Sequence, residues 1–393
     1  RPKEWFGGVQ MIFIGDLYQL PPVVTSREQE LFDGRYETPY FFSARVFGDL
    51  TFDMEFVELE KVYRQTDADF IGLLNAVRNR SIDDEQIARL NGRCAPGFVP
   101  PDGEFFITLT STNDLAAARN REKLSSLRGR ARRYEGVIDG DFERSSLPTE
   151  EVLELKPGAQ VMLLTNERTG LWVNGTIGRV ARIVEVPDED DIVEVDLRSG
   201  ARVQVRPNAW ELYRFRYDAE EDRIESEPVG AFTQYPLRLA WAVTIHKSQG
   251  KTFDRVVVDI GRGTFAHGQV YVALSRCTSF DGLVLKTPIL KKHIRMDWRI
   301  VDFLTRFQYR KAEEVMSTAE RRAIVKEAIR GGRELEILYL KPDDTKTRRR
   351  IRPEAVEMME YRGRKFEGVR AWCHHRGELR TFRIDRMLEV KFV

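Results

Sequence analysis

The 393-residue sequence is poor in cysteine and holds no long apolar run. Its three cysteines, Cys94, Cys277 and Cys373, are odd in number and far apart. That argues against a disulfide framework and against a zinc site, so a reducing compartment is expected. No stretch reaches the roughly 20 apolar residues that span a bilayer, and no membrane partner is expected. Residues 1–8 lack the apolar stretch and small-residue cleavage site of a secretion signal. The expected location is therefore the cytoplasm. An excess of one charge is missing as well, since 63 Lys+Arg face 62 Asp+Glu. The balance hides an asymmetry. Residues 333–393 carry sixteen Lys+Arg against eleven Asp+Glu, which leaves the rest of the chain at −4. A basic tail on a slightly acidic body suits a polyanionic partner, although a surplus of five also fits a solvated surface.

A length of 393 residues implies two or three domains. Residues 9–14 (VQMIFI) read as a buried parallel strand with a loop at its C-terminal end. Residues 67–79 place Phe70, Leu73, Leu74 and Val77 at helical spacing. Residues 105–109 read as another buried strand, followed by a helix over 112–127 that Thr112 or Asn113 caps. Such alternation implies an α/β core with a parallel sheet. From about 155 to 217 short β-rich runs are broken by turn pairs, with Asn174-Gly175 the strongest hairpin cue. This stretch reads as a small β-barrel inserted in the α/β domain. Strand texture returns at 240–244, 256–260 and 283–285. Residues 318–330 are helical in period and stop at Gly331-Gly332. The last sixty residues are strand-like, with turns at Asp343-Asp344, Arg362-Gly363 and Arg376-Gly377.

Three pieces carry candidate chemistry. In GDLYQLPP, Asp16 and Gln19 lie in a loop after a strand, where α/β sheets bind ligands. Gln19 has the reach to bond a phosphate oxygen or an attacking water. Alone, the piece reads as a strand-to-turn connection. Arg64 precedes a helix, where it suits either an ion pair or an arginine finger. The densest piece is LAWAVTIHKSQG, a strand followed by a loop of Thr244, His246, Lys247, Ser248 and Gln249, all phosphate-binding side-chain types. Arg276 ends a helical stretch, GQVYVALSR, in which Tyr271 and Leu274 are equally packing residues.

Taken in order, GDLYQLPPV, EKVYRQTDADFIGLLNAVRN, VMLLTNERTGLWVNGTIGRV, LAWAVTIHKSQGKTFD and GQVYVALSR resemble the Pif-type, RecD-like DNA helicases of superfamily 1. The resemblance runs from about residue 6 to 285. It implies RecA-like P-loop NTPase motor domains and an ATP-dependent helicase moving 5′ to 3′ on single-stranded DNA in repair, recombination or replication. It also implies ATP and Mg²⁺ as cofactors. Gln19 would sense the γ-phosphate, and Arg64 and Arg276 would close on ATP. Asp16, Gln249 and Gly250 would lie by the nucleotide. Thr244, His246, Lys247 and Ser248 would hold the DNA backbone, with Asn174 beside the DNA channel. The family's GxxxxGK[ST] loop and its Asp-Glu pair are not found here, and the resemblance places both before residue 6. The chain is thus expected to be a fragment that does not hydrolyse ATP alone, with no metal ligands of its own. A non-catalytic single-strand-binding fragment is the alternative.

The C-terminal stretch carries RRRIRP and RTFRIDR. Strand alternation puts Arg380, Phe382 and Ile384 on one face and Thr381, Arg383 and Asp385 on the other. Trp372 and Phe382 read as core. Arg376, Arg380, Arg383 and Arg386 read together as contacts to nucleic-acid phosphates. The stretch resembles the WYL domain, a small Sm-like β-barrel found in bacterial regulators and fused to some helicases. That implies DNA or a small-molecule ligand of unknown identity, and a site at the bacterial nucleoid. A WYL-type ligand-sensing regulator is a further alternative, but no helix-turn-helix is evident. The expected division is a remnant of a first motor domain at 1–50, a second motor domain at 51–300, a helical linker at 301–332, and the WYL-like domain at 333–393.

Overall fold

Four short strands form a parallel sheet in the order Ala242–Thr244, Ile107–Thr110, Val256–Asp259, Leu283–Leu285. The computed structural model describes residues 4–393 except 25, 33, 49–51, 53, 60, 219–222, 262 and 362. Ile107, Leu109, Val256, Val258, Leu283 and Leu285 are all buried, as expected where helices cover both faces of a parallel sheet. One cover is the helix Asn113–Ser126, capped by the Thr112 hydroxyl. Its buried Asn120 donates to the carbonyls of Leu239 and Ala242 and accepts from the Ala242 amide. A second is the helix Ala68–Arg78, capped by Asp67, which buries Phe70, Leu73, Leu74 and Val77. Burying Phe70 completely is worth about 2–3 kcal/mol. The helix Gln269–Ser275 lies against it in the same core.

The strand expected at 9–14 does not form. Met11, Phe13 and Val9 are 45%, 46% and 66% exposed, and Ile14 is 92% exposed. A parallel strand is held by its neighbours' hydrogen bonds, and among the described residues none pairs with this run.

The inserted β region is larger than expected. Leu237–Leu239, Gln160–Leu163, Ile177–Val184, Ile192–Leu197 and Arg202–Val205 form one antiparallel sheet in that order. Its core includes Val161, Leu163, Val180, Val193, Val195 and Leu237. The strand Asn208–Asp218, at the expected limit of 217, pairs as a long ribbon with Arg223–Gln234 beyond it. Tyr213, Phe215 and Ile224 on this ribbon are 45%, 71% and 71% exposed.

Residues 301–332 are two helices, Trp298–Val315 and Thr318–Gly331. Ser317 and Glu320 close a capping box at the second, and Gly332 ends it at φ 61°. This helix is no free linker. Val325 and Ala328 share a core with Leu335, Ile337, Ile351, Val369 and Phe382. That core lies under an antiparallel sheet ordered Glu378–Arg383, Arg364–Cys373, Lys346–Tyr361, Leu335–Leu340, Met387–Phe392. Phe382 is core as expected. Trp372 is only half-buried, because the strand alternates and its buried neighbours Ala371 and Cys373 face the core. Asp344 takes positive φ at the expected turn, as do Gly363 and Gly377, while Arg362 falls outside the described residues.

Candidate functional site

Three separate segments bring polar side chains to one place. The first is the turn after residue 15. The Asp16 carboxylate accepts from the Tyr18 amide at 3.0 Å and from Gln19 Nε2 at 3.2 Å. The second follows the strand Ala242–Thr244, where Gln249 Nε2 donates to Gln19 Oε1 at 3.2 Å. The third joins residues 63–65 to the end of the helix Gln269–Ser275. Buried Gln65 anchors it by donating to the carbonyls of Ser275 and Cys277 at 3.1 and 2.8 Å. Arg64 is thereby set to donate to Thr252 Oγ1 at 2.8 Å and to the Ser275 carbonyl at 3.2 Å. Tyr271, on the same helix, reaches Asp16 at 3.5 Å and so ties the third segment to the first.

Arg276 is the most deeply buried of these groups, at 1% exposure. Its guanidinium donates to the carbonyls of Val272 and Lys251 and to Ser275 Oγ, at 3.0, 3.2 and 2.9 Å. Burial and, next, the positive charge of Arg64 bring its pKa down to about 10. Burial also lowers that of Arg64. Among the described residues neither guanidinium forms an ion pair with a carboxylate. Two cations held near each other, with Asp16 nearby but no carboxylate in ion-pair contact, form a locus that an anion would stabilise.

The loop after Ala242–Thr244 divides in two. Thr244 and Ser248 are buried at 4% and 0% exposure. The Thr244 hydroxyl accepts from the Lys247 amide, and the Ser248 hydroxyl donates to the Ile245 carbonyl at 2.7 Å. Both shape the loop from inside, which corrects the expectation that their side chains face DNA. Lys247, Gln249 and Gly250 are exposed, and half-buried His246 stacks on Phe265 with centroids 5.7 Å apart. Burial lowers the pKa of His246 and of Lys247. Exposed Asn174 accepts from Lys251 Nζ at 2.8 Å, so the inserted sheet touches this loop. Lys251 and Thr252 were missed as site residues, although they end the SQGKT run that marks the loop. Gln65 and Tyr271 had no sequence signal beyond their neighbours.

The four C-terminal arginines sit in different settings. Arg383 is paired with Asp385 and lies over the Phe366 ring at 4.7 Å. Arg380 is paired with Glu378 at 3.1 Å, Arg376 is exposed and Arg386 half-buried. The basic cluster that does exist combines Arg380 with Lys341 and Arg349, around a cavity of about 380 Å³ that Tyr339 and Thr381 also line. Arg349 is 7% exposed, and its Nη1 has no hydrogen-bond partner.

The WYL domain family matches residues 320–392, so the helix Thr318–Gly331 falls largely within it. Among solved structures, unliganded Pif1 from Bacteroides superposes with a TM-score of 0.65 at 33% identity, covering 79% of this chain and 69% of that one. This chain belongs to the Pif1 family of helicases. A second Pif1 structure from Bacteroides, bound to single-stranded DNA, gives a TM-score of 0.57 at 34% identity, over 76% of this chain and 67% of that one. Mouse ATP-dependent DNA helicase PIF1 is 36% identical over 291 residues, 72% of this chain. The Pif1-family chain spans only 41% of that mouse relative's length. Against Pif1 of Campylobacter jejuni it is 26% identical over 281 residues and spans 61% of that protein.

Proposed function

We propose that this Pif1-family chain supplies the closing half of an ATP-driven DNA helicase, with single-stranded DNA as the track and a WYL barrel as an accessory nucleic-acid surface. The observation that carries the reading is the meeting of Gln19, Gln249, Arg64 and Arg276 from three separate segments, with both guanidiniums lacking a carboxylate partner. That donor set fits the terminal phosphates of a nucleoside triphosphate. Hydrolysis of the triphosphate supplies the driving free energy. Arg64 and Arg276 would offset the negative charge that develops on the transferring group, and Gln19 would orient the attacking water. Among the described residues no group of three acidic, His or Cys side chains could hold a metal ion.

Gln249 belongs to the same loop as His246 and Lys247, so a change at the phosphates is felt within a few residues of the proposed DNA contacts. Asn174 and Lys251 join the inserted sheet, read as the small barrel, to that loop. Translocation from 5′ to 3′ follows from the family resemblance. The test is Arg64→Ala and Arg276→Ala in the full-length protein. Each is expected to lower DNA-stimulated ATP turnover by about a thousandfold or more while single-strand affinity stays within a few-fold. Wild-type turnover in both variants sinks the assignment. Loss of DNA binding along with turnover in both points to a structural role instead.

A further inference from the structure

The C-terminal domain reaches the Gln19 loop at a buried point. Asp344 sits in the turn between the strands Leu335–Leu340 and Lys346–Tyr361, with a φ of 60° and 8% exposure. One of its oxygens accepts from the Tyr18 hydroxyl at 2.7 Å, and the other from Gln308 Nε2 at 2.9 Å. Tyr18 is 4% exposed and is the chain neighbour of Gln19. The Arg78 guanidinium lies over its ring at 4.3 Å. Lys346 pairs with Glu58 at 2.5 Å, and Lys311 Nζ donates to the Phe56 carbonyl at 3.0 Å, near the same contact. On the loop's other side stands Gly268 at φ 69°, where a Cβ would lie 2.4 Å from the carbonyl oxygens of both Tyr18 and Gln19. The loop is thus gripped between the helix that leads to Arg276 and a turn of the C-terminal domain.

We propose that Asp344 is a positioning residue for ATP hydrolysis: through Tyr18 it fixes the loop that presents Gln19, and so makes turnover depend on docking of the C-terminal domain. This rests on the helicase reading above. The Cα atoms of Tyr18 and Gln19 are about 3.8 Å apart along the chain, so releasing the Tyr18 side chain frees the backbone on which Gln19 stands. A misplacement of about 1 Å at a reacting centre can cost about a hundredfold in rate. A contact that merely glued two domains together would change stability and leave turnover per folded molecule alone. This one is attached to the residue that faces the phosphate.

The test uses the full-length protein with Asp344→Ala, Asp344→Asn and Tyr18→Phe, measuring DNA-stimulated kcat, KM for ATP, Tm and amide exchange over residues 16–20. Asp344→Ala is expected to lower kcat about 10- to 100-fold with KM within about twofold, and to speed exchange in the loop. Asparagine keeps an acceptor for Tyr18 and should restore kcat to within about threefold of wild type. Tyr18→Phe leaves the Asp344–Gln308 bond in place and keeps the question open to measurement if the alanine variant does not fold. A folded Asp344→Ala or Tyr18→Phe protein with wild-type kcat and wild-type loop exchange overturns the proposal. Should the wild-type protein itself hydrolyse no ATP with DNA present, the helicase reading fails. The exchange arm then decides by itself whether Asp344 holds the loop.

Discussion

At the scale of single residues, Asp297 shows how much one carboxylate can hold. It accepts from the Arg299 backbone amide and side chain, and from the Tyr40 hydroxyl at 3.1 Å, while capping the helix Trp298–Val315. The hydrogen bonds from Arg299 bring its pKa down to about 2. A depressed acid stabilises the fold fully above the ordinary carboxylate value and loses that contribution as pH falls toward 2. Asp297→Asn should therefore cost on the order of 1–2 kcal/mol at pH 7, and the gap to wild type should close near pH 2. Urea titrations at a series of pH values check this; a gap that stays constant with pH rules it out. Of the candidate site, the residues alone pointed only to the loop from Thr244 to Gln249, where polar side chains crowd after a strand. Gln19, Arg64 and Arg276 took their roles from the family resemblance, since alone the first read as part of a turn and the second suited an ion pair equally well. Thr244 and Ser248 looked like phosphate ligands because sequence cannot tell an outward hydroxyl from one bonded to its own loop's backbone.

Among elements, local signals were reliable where the physics is local. Thr112 caps the helix it precedes and Gly332 ends another, as the sequence suggests, while the caps Asp67 and Ser317 are seen only in the structure. The strands at 107–110, 256–259 and 283–285 lie where continuous apolar runs put them. The run at 9–14 has the same texture and forms no strand, since pairing depends on partners that periodicity does not reveal. The expected β stretch ended at 217 and so took in the strand Asn208–Asp218 but missed its partner Arg223–Gln234, whose first six residues are all exposed and show no apolar alternation. The outer half of this ribbon carries little of the fold. Replacing residues 213–228 by an Asn-Gly turn should move Tm by no more than about 2 °C. A fall of about 5 °C or more in thermal unfolding would mean that the aromatic face is covered in solution.

For the whole molecule, the position of the C-terminal boundary matters. Cutting after residue 316 removes the helix Thr318–Gly331 together with the sheet it packs on, whereas cutting after 332 leaves Val325 and Ala328 without their core. The shorter chain should stay soluble and bind single-stranded DNA several-fold more weakly at matched salt, with a shallower salt dependence. Anisotropy titrations across a salt series measure both quantities, and equal affinities would remove the basic domain from the DNA path. One further property follows from the way Arg276 is held. Its three hydrogen bonds all end on residues 251–275 of its own unit, so the guanidinium is held as part of that unit. In the proposed role its reach to a phosphate is set by where the whole unit stands, as a fixed tooth depends on its jaw.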